Sequence, residues 1–310
     1  MRDAFAKEMT ALAAQRPELT LLSGDIGNRM FDRFKEIAPE RFFNCGIAEA
    51  NMMSMAAGMA LSGLRPVIYT ITPFTTTRCL EQIRVGVAYH QVPVVIVGTG
   101  SGLSYAELGS THHSLEDMAI MRTLPGMNVG APADSSELVA QLRDALVTNK
   151  PTYLRIGKKG EPAINKNSAR LGIGKANLLR DGRDLLVVGV GPILGEALLA
   201  SEALSAEGMS VAIANLGSVK PLDESFLLEM AERFPRWLSL EEHGIAGGVG
   251  SALLEWISES CSKVIQLKRL GVPDIFLHKL GNQNYTRQRL GLDSLGLTKT
   301  FRQELPKKLQ

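Results

Sequence analysis

The chain has 310 residues, 45% of them hydrophobic and 21% charged, with a formal net charge of +2. That length admits two domains with separate cores, and the composition is that of a folded globular chain. The near-neutral balance and the lack of a basic stripe interleaved with aromatics argue against nucleic acid or a membrane surface as partner.

No apolar run is long enough to span a bilayer, and the start, MRDAFAKEMT, lacks a signal-peptide pattern. The cysteines Cys45, Cys79 and Cys261 are scattered and show no zinc spacing. They fit a reducing compartment, so a cytoplasmic protein is expected.

Apolar runs of strand length alternate with helical patterns along the whole chain. Leu19–Ser23, Phe42–Cys45, Pro66–Thr70, Pro93–Gly98, Asn128–Ala131 and Thr152–Ile156 read as buried parallel strands. Between them, Ala50–Leu61, Thr77–Tyr89 and Ser135–Thr148 read as helices. The polar stretch Gly157–Lys175 reads as a linker. A second series follows at Asp184–Val190, Ser210–Leu216, Trp237–Leu240 and Val264–Leu270. The expectation is an α/β protein with mostly parallel sheets in two domains, residues 1–176 and 177–310.

The segment FFNCGIAEANMMSMAAGMALSG, from Phe42 to Gly63, runs from a strand through a turn at Gly46 into a helix that begins near Glu49. A carboxylate there meets the positive end of the helix dipole, so a first-turn structural acid is one reading of Glu49. The small residues Ala56, Ala57, Gly58 and Ala60 suit this helix to a close approach. Downstream, a Thr-rich turn holds Phe74 (TPFTTT), a strand leads into GTGSG, and a histidine pair stands in GSTHHSLED. All three follow expected strands at one edge of the sheet, where open α/β folds build their sites. Singly they are weak: Phe74 reads equally as core, GTGSG is a poor phosphate signature, and a lone histidine is usually structural.

In this order and spacing, GIAEANM, AAGMALSGLRPVIYT, EQIRVGVAYHQVPVVIVGTGSG and STHHSLEDMAIMRTLPGMNVGAPAD resemble the pyrimidine-binding domain of transketolases, and WLSLEEHGIAGGVGSALLE resembles their C-terminal domain. The resemblance implies thiamine diphosphate as cofactor. It puts Glu49 at the position of the acid, shielded from water, that shares a proton with the pyrimidine ring nitrogen. Phe74 takes the position of the stacking aromatic, although FTTTRCLEQ holds one residue more before the arginine than many relatives do. His112 matches a histidine beside the substrate oxygens, while His113 is left to packing. Asp25, in LLSGDIG, falls at an acidic cofactor-side position or is simply a cap. Arg2 and Lys158 stand where relatives bind substrate phosphate, with a solvated surface charge as the other reading of Lys158. The motif Glu241-Glu242-His243-Gly244, with Gly247, Gly248 and Gly250, reads as structural.

Two positions depart from the family: Gly100 replaces a histidine and Leu108 an aspartate, both readers of sugar hydroxyls. The Gly-Asp-Gly motif of the family's diphosphate-binding domain, with its asparagine for magnesium, is not found either, since Gly24-Asp25 is followed by Ile26. The resemblance therefore implies the C-terminal subunit of a split transketolase, moving a two-carbon ketol unit from ketose to aldehyde. Its partner would be a separate diphosphate-binding subunit that supplies the Mg2+ ligands, in an α2β2 heterotetramer. A deoxyxylulose-phosphate-synthase-like carboligase, the β subunit of a 2-oxoacid dehydrogenase decarboxylase and a catalytically silent scaffold are the alternatives.

Overall fold

The computed structural model describes residues 1–27, 29–165, 170–279 and 281–305, so 166–169 of the expected linker lie outside the described residues. Strands β1 (Leu19–Ser23), β2 (Phe42–Asn44), β3 (Arg65–Ile71), β4 (Val95–Thr99), β5 (Asn128–Gly130) and β6 (Thr152–Ile156) form the first series. The second comprises β7 (Asn177–Arg180), β8 (Leu185–Gly189), β9 (Val211–Asn215), β10 (Ser218–Lys220), β11 (Arg236–Gly244) and β12 (Gln266–Val272). They make a seven-stranded sheet, β10-β5-β6-β4-β3-β1-β2, and a five-stranded sheet, β12-β11-β8-β9-β7. Pairing is parallel except for β10 on β5 and β7 on β9. This is the α/β architecture with two mostly parallel sheets that the alternating pattern predicts.

Central strands are buried along their full length, as β1, β4 and β6 are, because helices cover both faces of the sheet. On one face Arg2–Ala13 and Ser135–Val147 pack Phe5, Met9, Leu138 and Leu142 against Leu21, Val67 and Val95. On the other face, Glu49–Leu61 and Asp117–Thr123 contribute to an apolar cluster that runs on into the second sheet. Met118, Met121 and Val129 belong to the same cluster as Val188, Ala214 and Trp237. Ser218–Lys220 also leaves the second series to pair with β5, Ser218 opposite Gly130, which stitches the two sheets together.

The single helix expected over Thr77–Tyr89 is instead a 3-10 turn (Thr77–Cys79), a helical turn (Leu80–Gln82) and a π-helical turn (Ile83–Ala88). The Tyr89 N–H reaches back five residues to the Arg84 carbonyl at 2.9 Å. Widened turns of this kind cluster at functional sites. Here Gly86 lies close against the Glu49–Leu61 helix, where an added Cβ would stand 3.2 Å from that of Ala57.

Candidate active site

Because β1 to β4 run parallel, the segments after β2, β3 and β4 emerge at one edge, and each brings one part of the site. After β2, Gly46 turns with φ +66° and the helix starts at Glu49, whose carboxylate is only 3% exposed. After β3, the turn Thr72–Thr75 is built by its own threonines. Thr75 and Thr76 donate their hydroxyls to the Thr72 carbonyl at 2.9 and 2.8 Å, and Thr77 donates to that of Pro73 at 2.8 Å. Cys79 donates its Sγ–H to the Phe74 carbonyl at 3.1 Å. Burial first, then the charge of Glu49, push that thiol up to about 12.

Arg78 joins the acid to the aromatic. Its Nη1 donates to both oxygens of Glu49, at 2.9 Å each, while its guanidinium carbon lies 4.0 Å from the centre of the Phe74 ring. Glu49 and Phe74 thus hold a flat, cationic, hydrogen-bonding group between them. The same pair fits a protonated pyrimidine, which needs a ring to stack on and a carboxylate at a ring nitrogen.

Phe74 also touches His112 edge-on, with ring centres 5.3 Å apart. His112 sits in a turn that closes on Gly109, and its Nδ1 is 2.9 Å from the Thr111 hydroxyl. Burial, then Arg78 and His113, lower its pKa, so the imidazole is uncharged at neutral pH. His113 is buried and donates from Nε2 to the Ala106 carbonyl at 3.1 Å.

The other expected residues lie further out. Asp25 is exposed, has φ +54° and accepts from the Asn44 amide at 3.1 Å. Lys158 lies over the ring of Tyr105 at 4.2 Å and is paired with Glu107 at 3.1 Å; Tyr105 in turn meets His112 with centres 5.9 Å apart. Arg2 opens the first helix, and its buried Nε has no hydrogen-bond partner. Burial pushes the Tyr69 hydroxyl up to about 12, against the lowering effect of the Thr99 hydrogen bond and the Arg2 charge. Among the described residues, no group of three His, Cys, Asp or Glu side chains is placed to hold a metal ion.

The second half braces the site from behind. Glu242 accepts the Leu103 N–H at 2.7 Å, Gln283 at 2.7 Å, and Arg287. Gly102 has φ +61°, and a Cβ on it would stand 2.6 Å from the Glu242 carbonyl oxygen. Glu241 accepts the N–H groups of Val249 and Gly250 at 2.8 and 3.0 Å. A cavity of about 1110 Å³ lined by Ser101, Arg155, Glu242 and Arg287 also lies at this junction, but Glu49, Phe74 and His112 are not in its wall. The arrangement of acid, ring and imidazole, and not cavity size, marks the candidate site.

Sequence reasoning misses Arg78 and Tyr105. Arg78 has no signal of its own, since a break at Thr76 separates its 3-10 turn from the turn that carries Phe74. Tyr105 has none either.

Comparison with known proteins shows the family. The family model described as "Transketolase, pyrimidine binding domain" matches residues 1–161, and "Transketolase, C-terminal domain" matches 174–293. A 6-deoxy-6-sulfo-D-fructose transketolase subunit from Clostridium sp. (strain MSTE9) is 34% identical, over 94% of this chain and 90% of its own. A subunit of the apulose-4-phosphate transketolase from Phocaeicola vulgatus is 33% identical, over 96% and 95%. A solved split-gene transketolase, described as an inactive β4 tetramer, superposes with a TM-score of 0.87 at 31% identity, covering 98% of this chain and 97% of its own. A pyrimidine-binding domain of this kind implies thiamine diphosphate. The chain belongs to the transketolase family and carries its pyrimidine-binding and C-terminal domains, as the subunits of split transketolases do.

Proposed function

We propose that this chain is the pyrimidine-activating subunit of a split transketolase, transferring a two-carbon ketol unit from a ketose donor to an aldehyde acceptor. Thiamine diphosphate, when bound, supplies the nucleophilic carbon and the electron sink. Glu49 shares a proton with the pyrimidine nitrogen, Phe74 stacks on the ring, and uncharged His112 accepts and returns protons at the substrate oxygens. The observation that carries the reading is the buried Glu49 carboxylate and the Phe74 ring holding the Arg78 guanidinium between them, with His112 against that ring.

Magnesium and the diphosphate fall to a separate subunit, and an α2β2 assembly would bring the two together. The solved split-gene relative, inactive as a β4 tetramer, supports the need for that partner. Relatives named for a sulfonated and a phosphorylated ketose make a ketose with an anionic terminus the first donor class to test. Arg2 and Lys158 are the cations to test for binding that terminus.

The test is co-purification with the diphosphate-binding subunit, followed by a donor panel of sulfonated and phosphorylated ketoses, hydroxypyruvate and pyruvate. Ketose turnover that falls by about 10²-fold or more in folded Glu49→Gln is expected, the scale of a lost acid–base group. Full activity of that variant, or turnover of pyruvate alone, would overturn the reading.

A further inference from the structure

We infer that Arg78 is an internal competitor for the pyrimidine pocket, its guanidinium filling the slot between Glu49 and Phe74 until the cofactor displaces it. The inference rests on the roles given above to Glu49 and Phe74.

The contacts match those of the ring it would stand in for. A guanidinium is planar and delocalised; it stacks on an aromatic face and donates to a carboxylate. Arg78 does both at once, 4.0 Å from the Phe74 centre and 2.9 Å from each Glu49 oxygen. A pyrimidine stacked on this face of Phe74 and bonded to Glu49 would claim the same volume. The two cannot be held together.

Exposure shows how the exchange could run. The side chain of Glu49 is 3% exposed and that of Arg78 is 43% exposed. Glu49 is therefore fixed from within, whereas Arg78 reaches in from the surface and can swing out into water without repacking the core. A buried carboxylate left without a partner would be strongly destabilising, so Arg78 guards the empty pocket. The guard lowers the apparent affinity for cofactor, because only the fraction with Arg78 displaced is competent to bind.

The experiment compares wild type, Arg78→Met, Arg78→Lys and Glu49→Gln, each assembled with the diphosphate-binding subunit. Thiamine diphosphate with Mg2+ is titrated in by calorimetry, and melting is followed with and without cofactor. Loss of a half-exposed ion pair and a cation–π contact predicts binding tighter by roughly 5- to 30-fold in Arg78→Met. Arg78→Lys, which keeps the charge but loses the flat face, is expected between that variant and wild type. The cofactor-free Arg78→Met complex should melt lower than wild type, so that cofactor raises its melting temperature by more. Unchanged or weaker binding in Arg78→Met, with Glu49→Gln still impaired, would overturn the inference and leave the proposed function standing. Wild-type binding and turnover in Glu49→Gln would bring down both.

Discussion

The ring of Tyr105 lies where a side chain at position 100 would have to be: a Cβ on Gly100 would stand 2.0 Å from its Cε2. Gly100 also has φ +81°, which L side chains rarely adopt. The family's histidine is therefore replaced here by a second aromatic that comes from further along the same loop and packs edge-on to His112. Gly100→Ala should lose about 1–3 kcal/mol of stability from strain and overpacking together. In the double variant with Tyr105→Ala the steric part should disappear and the backbone part, about 1 kcal/mol, should remain. Urea unfolding of the four members of the cycle checks this. Strict additivity would mean that the ring and the glycine are independent.

The same pair shows where sequence reading stops. Strands such as Leu19–Ser23 and Thr152–Ile156 are legible because a parallel sheet covered on both faces needs unbroken apolar runs. Asn177–Arg180 and Ser218–Lys220 are not, since they are short antiparallel additions at sheet edges with little burial pattern. Glu49, Phe74 and His112 stand out through motif wording, and the fold brings all three to one edge. In the sequence Arg78 serves only as a marker of register, because its partner Glu49 lies 29 residues away. The glycine at position 100 can be read as a lost hydrogen-bonding group, but the ring that fills its place is a tertiary fact.

A buried acid between the two halves makes stability depend on pH. Glu137, in the Ser135–Val147 helix, accepts the Ala133 N–H at 2.6 Å and the Asn215 amide at 3.0 and 2.9 Å, so it joins the two halves. Burial pushes its carboxyl up to about 7 from the ordinary 4.5. With the folded value raised, the contribution is complete below about 4.5, declines as pH rises to about 7, and is level above that. The limiting slope is about −1.4 kcal/mol per pH unit from this group. Glu137→Gln should remove that part of the slope, so the difference in unfolding free energy between variant and wild type should grow from pH 4.5 to 7. A difference that stays constant across the range would show that Glu137 is charged in the folded protein throughout.

Behind the His112 turn, Asp117 and Arg155 form an ion pair at 2.7 Å with side chains only 2% and 3% exposed. Asp117 also accepts the Tyr153 hydroxyl at 2.7 Å, and Arg155 donates to the carbonyls of Ser114 and Glu242 at 2.8 Å each. Burial, the largest effect, would raise the Asp117 carboxyl, but the Arg155 charge and the hydrogen bonds from Arg155 and Tyr153 act together with the surrounding charge to hold it below its usual range. Nearby His243 takes no part as a cation. Its Nδ1 donates to the Gly244 carbonyl, its Nε2 accepts the Ala119 N–H, and burial lowers its pKa to about 4. Arg155 therefore has Asp117 as its close anionic partner. Asp117→Asn keeps the shape and leaves a buried cation uncompensated, which should cost about 3–5 kcal/mol. Adding Arg155→Met removes that cation and should recover part of the loss, because a buried pair exchanged for apolar groups is often near neutral. Urea unfolding reads both steps. A double variant no more stable than Asp117→Asn would mean that Arg155 acts through its bonds to the Ser114 and Glu242 carbonyls, as a strut between the halves, and not through its charge.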